Sequence, residues 1–114
     1  MAWSDAALTT GATAITAAYP YLSLHTTGAV TSSANESTAA RVAASWSVDG
    51  DGDATVSSKS FTGGAASGPV VRVGYWSAST GGTYGGGVLL SGDAAFNAAG
   101  EYTVDSITET GTST

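Results

Sequence analysis

The feature that most constrains the fold is a segment, residues 71 to 92, whose pattern is strand, glycine turn, strand. Apolar and aromatic residues dominate from Val71 to Trp76, and an apolar run follows the glycines that lie between Gly81 and Gly87. Glycine supplies the positive φ angles that tight turns require. The segment therefore predicts an antiparallel hairpin of one strand from Pro69 to Trp76 and a second from Gly87 to Ser91.

Four other segments have the composition of strands. They are Tyr21–Thr26, Ala40–Val48, Ala54–Phe61 and Glu101–Thr108, and Ala94–Asn97 is a possible further strand. Between Ala40 and Val48 the alternation places Val42, Ala44, Trp46 and Val48 on one face, so Trp46 is predicted to be the central core residue. Residues 27 to 38 and 63 to 68 are predicted loops.

Residues 5 to 18 allow two interpretations: a helix capped by Asp5, or irregular structure that ends in a short strand at 14–16. Gly11 interrupts the segment, and its threonines form helices poorly. We expect the irregular structure. The fold class predicted from the whole pattern is all-β: a single antiparallel β-sandwich of jelly-roll type with seven or eight strands.

The composition predicts one domain, residues 1–114, with a thin core and a tail at 111–114 that frays. Alanine, glycine, serine and threonine make up 70 of the 114 residues, whereas leucine, isoleucine, valine and phenylalanine number 18. Subunit contacts can supply burial that such an interior lacks, so we expect a homo-oligomer.

Charge and cysteine content argue against several classes of function. The chain has no cysteine, three basic residues and a net charge of -6, so we expect neither thiolate chemistry nor nucleic-acid binding. Its first residues lack a basic signal-peptide region, and no apolar run approaches the ~18 residues of a membrane helix. We expect synthesis in a host cytoplasm, no membrane partner and no cofactor.

Two places in the sequence resemble sites of chemistry. Asp49, Asp51 and Asp53 alternate with glycines like the start of a calcium loop, but the glycine and glutamate of an EF-hand are missing, so a solvated turn is favoured over weak calcium binding. His25 is the sole histidine, and no Gly-x-Ser-x-Gly motif accompanies it. We expect it to have a structural role and the protein to be no enzyme.

Five residues are candidates for an interface. Strand parity places Tyr75 and Trp76 on opposite faces, so one ring is expected to leave the intrachain core and either anchor an interface or stack on a sugar. Asn35 and Glu36 are interpreted as loop anchors. For Glu36 the alternatives are backbone amides, an intersubunit contact with Arg41, or a simple intrachain salt bridge worth ~0–1 kcal/mol.

Several of these segments, in this order, resemble a family of short virion proteins of tailed bacteriophages, variously described as minor capsid, decoration or tail-fibre proteins. The matching segments are Tyr21–Thr26, Ala34–Glu36, Ala40-Arg41, Ala78–Thr83 and Phe96–Val104. The resemblance implies a structural subunit, with the trimer as the expected oligomer, that binds the major capsid protein on the outer shell. A tail-fibre or tail-tip component that contacts a receptor or carbohydrate is the alternative.

Overall fold

A computed structural model describes residues 3–90 and 94–111, and this part of the chain forms one helix and nine short strands. The elements are α1 (Asp5–Ala18), β1 (Tyr21–His25), β2 (Val42–Ala43), β3 (Ser47–Val48), β4 (Ala54–Val56), β5 (Lys59–Phe61), β6 (Arg72–Trp76), β7 (Tyr84–Leu89), β8 (Tyr102–Val104) and β9 (Ile107–Glu109). All strand pairs are antiparallel. The chain is therefore mostly β, as predicted.

The strands form three sheets. The four-stranded sheet has the order β2-β1-β6-β7, the three-stranded sheet β3-β4-β9, and the third pairs β5 with β8. The predicted glycine hairpin is confirmed as β6 and β7, although β7 begins at Tyr84 instead of Gly87, and Ser91 lies outside the described residues. Strand β1 confirms the prediction for Tyr21–Thr26.

The N-terminal segment corrects the sequence prediction, because residues 5 to 18 form a helix instead of irregular structure. The Ser4 hydroxyl accepts a hydrogen bond from the Ala7 backbone N–H at 3.1 Å and caps the first turn. Three threonines donate their hydroxyl protons to the carbonyl four residues earlier, which satisfies them within the helix: Thr10, Thr13 and Thr16. The Ser4 cap thus offsets part of the cost of the threonines' low helix propensity.

The predicted strand Ala40–Val48 is also wrong as a continuous element. It divides into β2 and β3, which belong to different sheets, and the chain turns between them at Ser45, whose φ is +53°. Trp46 lies in this turn and is half-buried, packed against the core instead of at its centre. Ala44 is the fully buried residue of the segment.

The strands predicted at Ala54–Phe61 and Glu101–Thr108 pair along their length but are each interrupted. Val56 pairs with Ile107 and Lys59 with Val104, so the register is the same on both sides of the gap. The exposed residues 57–58 and 105–106 form the gap.

The further strand predicted at Ala94–Asn97 is reduced to an isolated bridge between Ala95 and Pro69. Of the C-terminal tail, which was predicted to fray, residues 112–114 lie outside the described residues.

Candidate functional site

The two faces of the four-stranded sheet differ in chemistry. Leu22 and Leu24 of β1, with Val73 of β6, belong to the hydrophobic core cluster. On the opposite face, the register places His25 beside Arg72 and Ser23 beside Gly74. His25, Ser23 and Arg72 are all 0% exposed. Strand alternation thus assembles a buried polar cluster behind the apolar core.

A chain of hydrogen bonds fixes the histidine in this buried polar cluster. The Trp76 indole N–H donates to Ser23 Oγ at 2.8 Å, and Ser23 Oγ lies 2.6 Å from His25 Nε2. His25 Nδ1 lies 2.9 Å from the Ala34 carbonyl oxygen. Because a carbonyl can only accept, Nδ1 carries the proton and Nε2 accepts from the serine. Burial, the largest influence, lowers the pKa of the His25 imidazole below its ordinary value, so the ring is neutral at pH 7.

Ser23 and His25 have the contact geometry of a nucleophile and its base, but the pair is closed to substrate. Both side chains are fully buried, and Ser23 Oγ already has two hydrogen-bond partners. The group that orients the imidazole is a backbone carbonyl, where catalytic triads place a carboxylate. The arrangement stabilises the fold and offers no surface to a reactant.

Arg72 fastens the long loop between β1 and β2 to the sheet. Its guanidinium donates to the Thr27 carbonyl at 3.1 Å and to the Ala34 carbonyl at 2.7 Å. Nη1 donates to the Tyr84 hydroxyl at 2.7 Å, and that hydroxyl donates to the Val30 carbonyl at 2.7 Å. Within the described residues Arg72 has no carboxylate within ion-pair distance, so carbonyl dipoles and one phenol surround the buried cation.

Arg41 and Glu36 form the ion pair of the described structure, and it is intrachain. Arg41 Nε lies 2.8 Å from Glu36 Oε2 and Nη2 lies 2.9 Å from Oε1, a bidentate contact. Nη1 donates to the Ala78 and Gly81 carbonyls, and the guanidinium carbon lies 3.7 Å from the centroid of the Trp76 ring. Of the alternatives left open for Glu36, the structure contains the intrachain salt bridge with Arg41. The same guanidinium also contacts two backbone carbonyls and the Trp76 ring.

The other interface candidates lie in or beside the same region. Asn35 has a φ of +62°, and its carbonyl accepts from the Thr26 backbone N–H at 2.9 Å. Trp76 is 8% exposed, whereas Tyr75 is half-buried and meets the Trp46 ring edge-on at 5.2 Å. Trp76 bonds to Ser23 of the buried polar cluster, whereas Tyr75 packs against the hydrophobic core cluster, so the two rings lie on opposite faces of the sheet. The role of one of these rings as an interface anchor or sugar platform stays a prediction.

Sequence reasoning missed three members of the buried polar cluster: Ser23, Arg72 and Tyr84. A signal was present for one of them, Ser23, because it lies two residues from His25 in the predicted strand and must share a face with it. Partnership with Arg72 depends on the register between β1 and β6, which local sequence does not specify. Tyr84 was assigned to the turn, whereas it begins β7 opposite Trp76.

An apolar groove of about 1010 Å³ lies beside the four-stranded sheet. We call it the α1–β7 groove, since residues of the helix and Gly85–Gly87 line it. Four aromatic side chains contribute to its walls: Trp3, Tyr19, Trp46 and Tyr75. The Tyr75 hydroxyl donates a hydrogen bond to Glu109, the one charged side chain among the described lining residues. Burial first, and then this carboxylate, raise the pKa of the Tyr75 phenol, so it remains protonated.

The aspartate cluster forms the predicted turn, in the hairpin of β3 and β4. Asp49 Oδ1 accepts from the backbone N–H groups of Asp51 and Asp53, and Asp53 Oδ1 accepts from Gly111 N–H at 2.8 Å. Gly52 takes a φ of +84°. Across residues 3–90 and 94–111 no group of three or more histidine, cysteine, aspartate or glutamate side chains is placed to hold a metal ion.

Within the same residues, no helix is long and apolar enough to cross a membrane. Comparison of the chain with protein-family models, with curated proteins and with solved structures found no match. Function must therefore be argued from the residues and their geometry.

Proposed function

We propose that this chain is a structural subunit of a bacteriophage virion: a minor capsid or decoration protein that binds the outer capsid shell and reinforces it through subunit contacts. The observation that carries the proposal is the separation of polar and apolar groups. The Ser23–His25 pair is buried in the polar cluster, whereas mostly apolar side chains line an open groove. This arrangement suits adhesion and leaves the Ser23–His25 pair without access to a substrate.

Hydrogen bonds from the buried polar cluster and from Arg41 support the proposal, because they hold two surface loops in one arrangement. Arg72, His25 and Tyr84 hold carbonyls of the loop between β1 and β2, and Arg41 holds carbonyls of the β6–β7 turn. A binding surface that is ordered before contact loses less conformational entropy on association. In this proposal the sheets belong to one β-sandwich of jelly-roll type, and the main partner is the major capsid protein.

Assembly follows from charge and composition in the same proposal. The net charge of -6 keeps the free subunit soluble, and the small core gains burial from neighbours once the subunit is on the shell. The subunit forms a homo-oligomer, a trimer by its family resemblance, and is found at the capsid surface after synthesis in the host cytoplasm. It uses no cofactor and binds neither nucleic acid nor membrane.

One observation favours a second candidate, a tail-fibre or tail-tip component. The four aromatic rings that line the α1–β7 groove are of the type that stacks on sugars or anchors a receptor contact. In this alternative the groove meets a host receptor or carbohydrate.

Copy number and position in purified virions distinguish the two candidates. The protein is quantified against the major capsid protein by mass spectrometry, and the virion is imaged by cryo-electron microscopy. The decoration function predicts protrusions at regular capsid positions, each the size of one small β domain per subunit. Density confined to the tail tip, with a bare shell, would overturn it in favour of the alternative. Absence from the virion would overturn both.

A further inference from the structure

Two of the three large exposed apolar side chains of the described residues line the α1–β7 groove. Ile15 and Trp3 are each 62% exposed and line it, and Leu89, at the end of β7, is 61% exposed. Helix α1 has no fully buried residue, so the apolar side chains that it turns toward the groove are incompletely covered. A volume of about 1010 Å³ is at the upper end of the range for small-ligand pockets, roughly 300–1,000 Å³, and is sufficient for several residues of a peptide.

The charge of the groove indicates what an occupant carries. Glu109 is half-buried, and one of its carboxylate oxygens accepts from the Tyr75 hydroxyl. Within the described residues the other oxygen accepts no hydrogen bond, and no cation lies within ion-pair distance. A single carboxylate in an apolar wall is complementary to a single lysine or arginine on an otherwise apolar partner.

The same charge argument disfavours a second copy of this chain as the occupant. Of the three basic residues, Arg41 is paired with Glu36 and Arg72 is fully buried, so only Lys59 is available to meet Glu109 in another copy. Each copy also carries a net charge of -6, which opposes close contact at a carboxylate. The partner is therefore a different protein.

The edge of the sheet indicates the conformation of the occupant. Among the described strands β7 is the outermost of its sheet, and Tyr84–Leu89 contains neither proline nor a charged residue. Proline and charged residues commonly protect a strand edge from pairing with another chain, and β7 lacks both. Leu90 donates its backbone N–H to the Val71 carbonyl toward the sheet, so alternation turns the Leu89 backbone groups toward the open edge. An extended segment can pair with this edge while its side chains enter the groove.

We propose that the α1–β7 groove binds an extended segment of a partner protein, apolar along its length and with one lysine or arginine that pairs with Glu109. This inference rests on the proposed function, which makes that segment part of the major capsid protein. It adds to that function the face that docks, the conformation of the docked segment and the residue that selects it.

The test uses capsid shells assembled without this protein, to which the purified full chain is added in a sedimentation assay. Glu109→Gln removes the charge and is expected to weaken binding by about tenfold or more, because a cation of the partner is left unpaired. The matched control is Asp105→Asn, an exposed carboxylate outside the groove, which should bind within about twofold of the unaltered chain.

A second pair of variants leaves the Tyr75–Glu109 contact intact, should Glu109→Gln fail to fold. Thr10→Lys places a cation in the groove wall and should repel the cation of the partner, whereas Thr13→Lys, exposed on the same helix but outside the groove, should not. A photo-crosslinking residue at Ile15 then identifies the bound segment, with one at exposed Thr80 as its control.

The outcomes separate the inference from the proposed function. Crosslinks from Ile15 to an extended, apolar, lysine- or arginine-bearing capsid segment, with the expected losses at Glu109 and Thr10, support both. Shell binding that both groove variants leave unchanged, or crosslinks from Ile15 to another copy or to a helix, overturns the inference and leaves the function intact. Failure of the unaltered chain to bind shells overturns the decoration function, and the inference with it.

Discussion

The hydroxyl of Tyr84 accepts a hydrogen bond from Arg72 Nη1 and donates one to the Val30 carbonyl, both at 2.7 Å. One oxygen atom thus joins β6, β7 and the loop between β1 and β2. Tyr84→Phe removes both bonds and leaves a buried guanidinium one partner short. We expect the free energy of unfolding to fall by about 1–3 kcal/mol.

Urea denaturation measures this loss, and Tyr21→Phe is its control. Tyr21 is also half-buried in the four-stranded sheet, but its hydroxyl makes no hydrogen bond within the described residues, so its loss should stay within about 0.5 kcal/mol. Equal losses in the two variants would contradict the role given to the Tyr84 hydroxyl.

A second prediction concerns the guanidinium of Arg41, which lysine cannot imitate. Arg41 contacts both carboxylate oxygens of Glu36, two backbone carbonyls and the face of Trp76, and its side chain is 7% exposed. Arg41→Lys keeps the charge but loses the bidentate and stacked geometry, at a cost of about 2 kcal/mol. Chemical denaturation of this variant, beside Lys59→Arg as the reverse exchange, tests it. A loss no larger than in the control would show that charge alone stabilises the cluster.

A third prediction concerns pH. The pKa of His25 is lowered in the folded protein, chiefly by burial, while the unfolded histidine titrates near 6.5. The unfolded chain therefore binds a proton first as pH falls, so the stability from neutral His25 is fully present above about pH 6.5 and declines below it toward the folded pKa. Melting temperature should fall between about pH 7 and 5.5.

His25→Gln is the control for the pH dependence. It removes the titrating group, so its melting temperature should start lower but change little over the same interval, before the carboxylates titrate. If the melting temperature of the unaltered chain did not change with pH, the prediction would be wrong. If His25→Gln showed the same change with pH as the unaltered chain, groups other than His25 would cause it.

The strands could be predicted from sequence where local chemistry decides them, and not where distant pairing does. Glycines and alternating residues predicted the hairpin of β6 and β7. Helix α1 was not the favoured interpretation because Gly11 and the threonines lower its average propensity, a scale that does not contain the Ser4 cap. The gaps at 57–58 and 105–106 were missed because exposed serine and aspartate fit a strand or a turn equally well.

The buried polar cluster illustrates the same limit. The shared face of Ser23 and His25 could be read from their spacing, but their partners lie about 50 residues away, and the register of β1 with β6 brings them together. The loop that covers the cluster contributes backbone carbonyls, which carry no side-chain signature in a sequence. Composition indicated a thin apolar core but could not show a second interior stabilised by hydrogen bonds.

The last prediction compares two glycines that sequence alone does not distinguish. Gly74 lies within the buried polar cluster, where a Cβ atom would come within 2.6 Å of His25 Nε2, 2.7 Å of Ser23 Oγ and 2.8 Å of Tyr84 Cε1. Gly11 lies in α1, where a Cβ atom would meet nothing within 4 Å. Gly74→Ala should therefore force the serine and histidine apart and cost about 3 kcal/mol.

Gly11→Ala should instead stabilise the protein by about 0.5–1 kcal/mol, because alanine loses less backbone freedom in a helix. Thermal unfolding of both variants measures the difference, and the NMR signal of the Trp76 indole proton reports whether its bond to Ser23 survives. We expect that signal to shift only in Gly74→Ala, since the added methyl group displaces the serine that accepts it. A Gly74→Ala protein with unaltered stability and an unmoved indole signal would mean that the space beneath Gly74 is open, and the close packing of the buried polar cluster would be wrong.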